Sequence, residues 1–399
     1  MRIVVVTCDL CPGRERLMPW RTVLEVARRM AGTGHDVRLV SLDRPAQRPA
    51  RRVDQGLPVW HVATWADLHR AVADEDSEAF CPDLVYWPVT WRSGLRAGGP
   101  WHRWKGPTVV YHGGSCYGVS HVLGVLRFMP GLPPRDLLAE TLVPKGILVR
   151  RLGRQGVAGV ICMTDFTRRA FVRAGWPGER IVAIPPGLPP QGPIEKEAPC
   201  IRELDRLAPV QPYVLFLGNP LPVRGIDVLV SAARRVFSSS PCARIVCLLR
   251  PDPGRGMEIA RDGLLRRVAG LGMGSRFICV VRDLSPEEVR RCLRHARAAV
   301  MPFLVVPSEI PLAVLEAMQS GTPVITSRSG GVSEFVGEGG WIVPPASVAL
   351  LADAILSALH DDRTRRKKAE RCSAIMANHP TWDIVADRWL EFGSSVSGR

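Results

Sequence analysis

Two glutamates, Glu309 and Glu316, flank the start of a short apolar segment that runs from Ser308 to Ile325. Ile310, Pro311 and Leu312 follow the first glutamate, and Pro311 suits the opening turn of a helix because it lacks an N–H that would be unpaired there. Gly321 and Pro323 end the run, and Val324 and Ile325 begin a buried strand. On this reading Glu309 lies in the loop entering the helix and reaches outward, while Glu316 sits about one and a half turns inside and braces from behind. The unpaired N–H groups and partial positive charge at such a helix start suit a diphosphate. Carboxylates beside it would instead accept hydrogen bonds from sugar hydroxyls. The alternative is a surface helix with two solvated glutamates, and a motif this short does not decide between them.

The elements that must position these residues repeat along the chain. Apolar runs alternate with amphipathic segments, the pattern of a parallel sheet covered by helices on both faces. The first unit has a strand from Ile3 to Thr7, a loop through Cys11-Pro12-Gly13, and a helix with Val23, Val26, Ala27 and Met30 at helical spacing. Further strands are expected at Val37 to Leu42, Val59 to Val62, Leu84 to Trp87, Val109 to Tyr111, Val160 to Met163 and Ile181 to Ile184. A helix is expected over Thr164 to Gly175, with Thr164 or Asp165 as its cap. The run Pro185 to Pro193 is too rich in proline for either regular element, and the polar stretch to Pro212 prolongs the break. The alternation resumes with strands at Tyr213 to Leu217, Arg244 to Leu249, Phe277 to Val281 and Ala298 to Pro302, and a helix over Ile226 to Phe237. This gives domains at 1–193 and 194–378, with a last segment, 379–399, whose apolar residues at 382, 385, 386 and 389 need a surface to cover.

A chain of 399 residues exceeds what one hydrophobic core usually holds, which agrees with two domains. No apolar run is long enough to span a bilayer, and the opening Met1-Arg2-Ile3-Val4-Val5-Val6 is too short and too soon interrupted for a signal peptide. The expectation is a cytoplasmic protein. Eleven cysteines are scattered, and Cys162, Cys247 and Cys279 stand in strand-like runs as small buried hydrophobes. Cys8 and Cys11 have metal or redox spacing but no second pair and no nearby histidine. A net charge of +15 points to an anionic partner, whether nucleotide, nucleic acid or membrane surface. No module with interleaved stacking aromatics or a reading motif is present, so nucleic acid is not expected.

Taken together, the motifs resemble a retaining GT-B glycosyltransferase of family four over nearly the whole chain. The blocks that carry the resemblance, in order, are Gly34-His35-Asp36-Val37, Val109-Val110-Tyr111-His112, Thr164 to Gly175, and Ile184-Pro185-Pro186-Gly187. They continue with Gly218 to Gly225, Ser308 to Ile325, Ser329-Gly330-Gly331-Val332-Ser333-Glu334, and Gly340-Trp341-Ile342-Val343-Pro344-Pro345. The resemblance implies an α/β GT-B fold, two Rossmann-like domains with parallel sheets facing a central cleft. It implies transfer of a hexose-type sugar from a nucleotide diphosphate sugar to a hydroxyl acceptor with retention at the anomeric carbon, by front-side displacement. The first domain would present the acceptor and the second would hold the nucleotide, with the last helix crossing back to the first domain. No cofactor and no metal are implied, because a basic side chain and a helix start neutralise the departing diphosphate.

The same resemblance assigns roles by position. Arg224, just before a glycine, would hold phosphate oxygens with its planar fork. Gly218 and Asn219 would line the donor, although the family has a second basic residue where this chain has Asn219. Glu316 would accept hydrogen bonds from the ribose hydroxyls. Glu309, with Ser308, Ile310, Pro311 and Leu312, would meet the donor sugar, but six residues separate the two glutamates here where the family has seven. His112 would position the sugar by hydrogen bonding, with Gly113 and Gly114 behind it. Gly330, Gly331 and Glu334 correspond to a second glycine turn. The paired-glycine loop after the first strand is reduced to Gly13.

The acceptor could be a glycan, a lipid-linked sugar or a small molecule. Residues 123 to 154 mix Leu123, Val125, Leu126, Phe128, Leu137, Leu138, Ile147 and Leu148 with Arg127, Arg135, Lys145, Arg150, Arg151 and Arg154. Such a stretch could lie on the anionic inner face of a membrane, or it could be an ordinary core helix with solvated arginines. A sugar-nucleotide epimerase of the same architecture and a non-catalytic nucleotide-sugar-binding homologue are the rival readings.

Overall fold

Two sheets, each with its own helices, organise the chain in the computed structural model. The structure describes residues 1–10, 18–43, 50–54, 56–63, 67, 82–91, 93, 106–115, 117–129, 137, 141–189, 212–250, 255–306 and 308–398. Contacts divide it into one unit formed by Met1–Cys116, Pro134–Pro190 and Pro380–Arg399, and another formed by Tyr117–Pro133 and Gln191–His379. The expected features at Cys11 to Leu17, Arg135, Leu138 and 190–211 lie outside the described residues.

The first unit holds β1 (Arg2–Cys8), β2 (Asp36–Leu42), β3 (Ala50–Asp54), β4 (Leu57–Val62), β5 (Leu84–Pro88), β6 (Thr108–His112), β7 (Gly159–Cys162) and β8 (Ile181–Ala183). Their order across the sheet is β3-β4-β2-β1-β5-β6-β7-β8. Every pairing is parallel except β3 with β4. The antiparallel edge strand β3 was not expected, since Ala-Arg-Arg-Val-Asp has no alternation that marks a half-buried strand. In β1 the run Ile3 to Val6 is fully buried, as a strand covered on both faces must be. One core cluster gathers Val4, Val6, Val110, Val160 and Phe171, and the other gathers Ile3, Val5, Val109 and Ile161 with the helix Trp20–Gly32.

The helix Trp382–Val396 packs into that second cluster. Thr381 Oγ1 caps it by accepting from the Ile384 N–H. Its apolar face is inward, with Trp382 1% exposed and Ile384, two residues on, 44% exposed. The Tyr86 hydroxyl donates to the Trp389 carbonyl at 2.6 Å, and the two rings lie 5.1 Å apart.

The second unit holds β9 (Tyr213–Leu217), β10 (Arg244–Leu249), β11 (Phe277–Val281), β12 (Ala299–Met301), β13 (Val324–Ser327) and β14 (Gly340–Val343). The order is β11-β10-β9-β12-β13-β14, all parallel. The sheet therefore grows outward from β9 in one direction and from β12 in the other, and the strand order reverses between those two.

The basic and apolar stretch from 123 to 154 is not one element. Val119–Val125 is a helix and Leu126–Phe128 a 3-10 turn, both in the second unit, while Lys145–Arg154 is a helix of the first. Val125, Leu137 and Leu148 are buried, so much of the apolar content serves the cores.

Replacing Trp382 by Ala removes a large buried side chain and should lower unfolding free energy by about 3–5 kcal/mol. Ile384→Ala on the outer face of the same helix should change it by no more than about 0.5 kcal/mol. Urea unfolding followed by circular dichroism measures both.

Candidate functional site

In the second unit the candidate residues converge on the strand-order reversal. The loop after β9 and the loop after β12 leave adjacent strands at the same edge, and ligands of open α/β sheets bind where such loops part. The first loop folds through a 3-10 turn, Pro222–Arg224, and Gly225 then caps the helix Ile226–Ser239. Gly225 has φ +77°, and a Cβ there would stand 1.8 Å from the Pro302 carbonyl oxygen, so no other residue fits. The Val223 carbonyl accepts from the N–H groups of Leu304 and Val305 at 2.9 and 3.0 Å. These contacts fasten the turn that carries Arg224 to the segment that leads into Ser308.

Arg224 folds back over Gly218. A Cβ at Gly218, which has φ +142°, would meet Arg224 Nη1 at 2.8 Å. The Nε is buried and has no hydrogen-bond partner among the described residues. Burial, with a smaller contribution from the charge of Arg250, pushes the guanidinium down to about 10. It is still a cation at neutral pH, held against a desolvation cost that an anion would relieve. Asn219 also keeps a buried Oδ1 with no partner among the described residues.

The helix at the heart of the motif spans Leu312–Gln319. Pro311 is not in its first turn but precedes it, with extended backbone, and its carbonyl accepts from Val314 N–H at 2.9 Å. Glu309 does not reach outward as expected: it is 0% exposed, between buried Ser308 and buried Ile310. The Ile310-Pro311 turn is short and apolar, and packing its side chains inward carries the preceding glutamate inward too. Glu316 is half-buried, one face of its helix being occupied by Val314, Leu315, Ala317 and Met318. Leu312 is half-buried at the helix start. Gly330 adopts φ +60° and Gly331 precedes the short helix Val332–Val336, on which Glu334 is exposed.

In the first unit His112 ends β6 and is 2% exposed. Its Nδ1 lies 2.9 Å from the Val89 carbonyl, which fixes the tautomer with the proton on Nδ1. The Nε2 lone pair is buried and has no partner among the described residues. Trp91 and Phe171 stand edge-on to the ring at 5.1 and 5.6 Å. Desolvation, and to a lesser degree the charge of Lys145, brings the imidazole down to about 4. The ring is therefore neutral at physiological pH and offers an acceptor atom.

Three participants escaped the sequence reading. The Tyr117 hydroxyl accepts from Val306 N–H at 2.6 Å, and His121 Nε2 donates to the Leu304 carbonyl at 2.7 Å, so the 117–129 segment clamps the loop ahead of Ser308. Trp91, fully buried beside His112, is the third. The spacing of Tyr117 and His121 was a visible signal, but their partners are remote in sequence and the contact was not readable.

Comparisons with known proteins agree with this architecture. A family model described as Glycosyltransferase Family 4 matches residues 20–191, and one described as Glycosyl transferases group 1 matches residues 211–361. The chain is 28% identical over 383 residues to a D-inositol 3-phosphate glycosyltransferase of Frankia alni, covering 87% of each chain. It is 32% identical over 228 residues to the protein of that name from Nocardia farcinica, covering 55% of this chain and 48% of the relative. With that relative, as with the one from Geodermatophilus obscurus, the match spans about half of the relative's length. Among solved structures, Anabaena HepE in complex with UDP superposes with a TM-score of 0.69 at 15% identity, covering 99% of this chain and 100% of that one. A sucrose-phosphate synthase from Thermosynechococcus elongatus gives 0.68 at 18% identity, covering 99% of both.

Because His112 is depressed in the folded state, the unfolded chain binds a proton that the folded chain refuses between pH 6.5 and about 4. The stability this confers is present above pH 6.5 and is lost as pH falls through that window, by about 3 kcal/mol. Urea midpoints measured across it should fall less steeply for His112→Gln than for the unaltered protein.

Proposed function

This chain belongs to the family four, group 1 glycosyltransferases of GT-B fold, and from that membership we propose that it transfers a hexose-type sugar from a nucleotide diphosphate sugar to a hydroxyl acceptor with retention of anomeric configuration. The observation that carries the reading is the desolvated Arg224 guanidinium. It is pressed onto Gly218 and fastened through Val223 and Gly225 to the segment entering the Leu312–Gln319 helix. A cation held in this way, at the edge where the strand order reverses, suits a leaving diphosphate.

In the proposed reaction the anomeric carbon–oxygen bond to the β-phosphate breaks, and the acceptor oxygen bonds to that carbon from the same face. The acceptor proton passes to the departing phosphate oxygen. Arg224 and the N–H groups at the start of the Leu312–Gln319 helix stabilise the charge that develops on the diphosphate, so no metal ion is required. Glu316 accepts from the ribose hydroxyls. Glu309, within the buried Ser308–Ile310 turn, accepts from a hydroxyl of the sugar, and its burial strengthens that bond. His112 Nε2 accepts from a sugar hydroxyl and acts by positioning, since an imidazole this depressed does not carry a proton at neutral pH. The relatives named for D-inositol 3-phosphate favour a small polyol phosphate as the first acceptor to try.

A second reading concerns location. Ile147, Arg150, Arg151 and Arg154 of the helix Lys145–Arg154, with Gln155 just after it, line a cavity, and Leu142, just before the helix, is exposed. We propose that this basic face draws the protein to anionic lipid surfaces. No helix among the described residues is long and apolar enough to cross a membrane.

A screen of nucleotide sugars for protection against thermal unfolding identifies the donor, because a ligand of the folded state raises its stability. With that donor and inositol phosphate as acceptor, NMR should show a product of unchanged anomeric configuration, formed equally well in excess EDTA. Glu316→Ala should weaken donor binding about tenfold or more. Donor conversion without any acceptor would identify an epimerase instead, and a donor that binds without turning over would identify a non-catalytic homologue.

Co-sedimentation with vesicles should rise with the fraction of acidic lipid and fall when Arg150 and Arg154 are replaced by Gln. Equal sedimentation with neutral vesicles would remove the membrane reading.

A further inference from the structure

The diphosphate site proposed above has one cation on the loop after β9, and Asn219 stands where the resemblance implied a second. The neighbouring strand supplies a candidate. β9 and β10 are paired in parallel with Leu217 against Leu248, and the ladder continues as the Gly218 N–H donates to the Leu248 carbonyl at 3.1 Å. Continuing that register for two more residues sets Arg250 against Asn219. Parallel strands end at one edge, so Arg250 leaves the sheet beside the loop in which Arg224 lies over Gly218.

The electrostatics agree with that placement. Arg250 is exposed, and its charge is felt at Arg224. Among the described residues neither guanidinium has a carboxylate within ion-pair distance. Asp227, the nearest acid in sequence to Arg224, is engaged by Arg267. Two like charges with no counter-charge among the described residues cost free energy that a shared anion would remove.

We propose that Arg250 is the second phosphate-binding cation, so that a diphosphate is held jointly by guanidinium groups from the turn after β9 and from the end of β10. The inference rests on the diphosphate reading of the second unit and adds to it a residue outside every motif block. Arg224 grips from a half-buried, fixed position. Arg250 approaches from solvent, neutralising charge on entry and contributing to the hold on the departing nucleoside diphosphate.

The test uses the full chain and two probes, UDP and inorganic pyrophosphate, titrated calorimetrically at low and high salt. Arg250→Ala should weaken both about tenfold to a hundredfold, the size of one charge-assisted contact. It should also flatten the salt dependence, and it should leave the thermal midpoint of the unliganded protein unchanged because the side chain is exposed. Arg250→Lys should retain part of the affinity. In the Arg250→Ala background, Asn219→Arg should restore part of it, since the register extended past Leu217 sets the two positions side by side. Unaltered affinity of Arg250→Ala for both probes at low salt would overturn the proposal while leaving the nucleotide-sugar reading in place. Arg250-dependent binding of pyrophosphate with no binding of UDP, GDP or ADP would uphold the paired arginines and sink the nucleotide reading. Binding of neither probe by the unaltered protein would remove both.

Discussion

A half-buried guanidinium with no counter-charge among the described residues is the constraint on which the second unit depends. Arg224 could reach solvent on a free loop, but the turn that carries it is pinned at both ends. Val223 receives two N–H groups from the neighbouring loop, and Gly225 touches the Pro302 carbonyl so closely that no side chain fits. The chain then has nowhere to place the arginine except across Gly218. That burial, with the charge of Arg250, lowers the group to about 10. Folding bears the cost once, so a bound anion meets a cation already desolvated and oriented, and little of the electrostatic gain is spent on reorganisation.

The first unit applies the same physics with the opposite outcome. His112 is more completely buried than the half-buried Arg224, and its ordinary value lies near neutrality, so desolvation discharges it. What remains is a fixed neutral ring whose Nδ1 proton is committed to Val89 and whose Nε2 lone pair has no partner among the described residues. Burial therefore converts one basic residue into a reserved cation and another into a hydrogen-bond acceptor. Burial alone does not separate these roles; the residue type does, because it sets how far the ordinary pKa lies from the working pH.

Much of the architecture was legible in the chain because buried parallel strands read as continuous apolar runs bounded by glycine and proline. The runs at Ile3, Val109, Val160 and Tyr213 are all strands. The final helix was readable too, since Trp382, Val385, Ala386 and Trp389 recur at its period. The edge strand β3 was not, because Ala-Arg-Arg-Val-Asp pairs through its backbone and its side chains carry no period. In the site, residue positions were legible and orientations were not. Glu309 turned inward because the Ile310-Pro311 turn packs inward, a tertiary effect that spacing along the chain does not encode. The clamp of Tyr117 and His121 on residues 304–306 joins segments almost two hundred residues apart, which places it beyond any local signal.

The relation between Asn219 and Arg250 shows why matching residues to a motif by position has a limit set by sheet geometry. An anion at the edge of a parallel sheet responds to the charge near it, whichever strand brings that charge. Adjacent parallel strands in register deliver their next residues to neighbouring points a few ångströms apart. On the proposed pairing, a cation missing from the turn after β9 is supplied instead at the matching step of β10, with no change to the fold. A residue-by-residue comparison reports the first event as a defect and gives no reason to look at the second. The backbone register relates them, and Leu217 against Leu248 sets where to look.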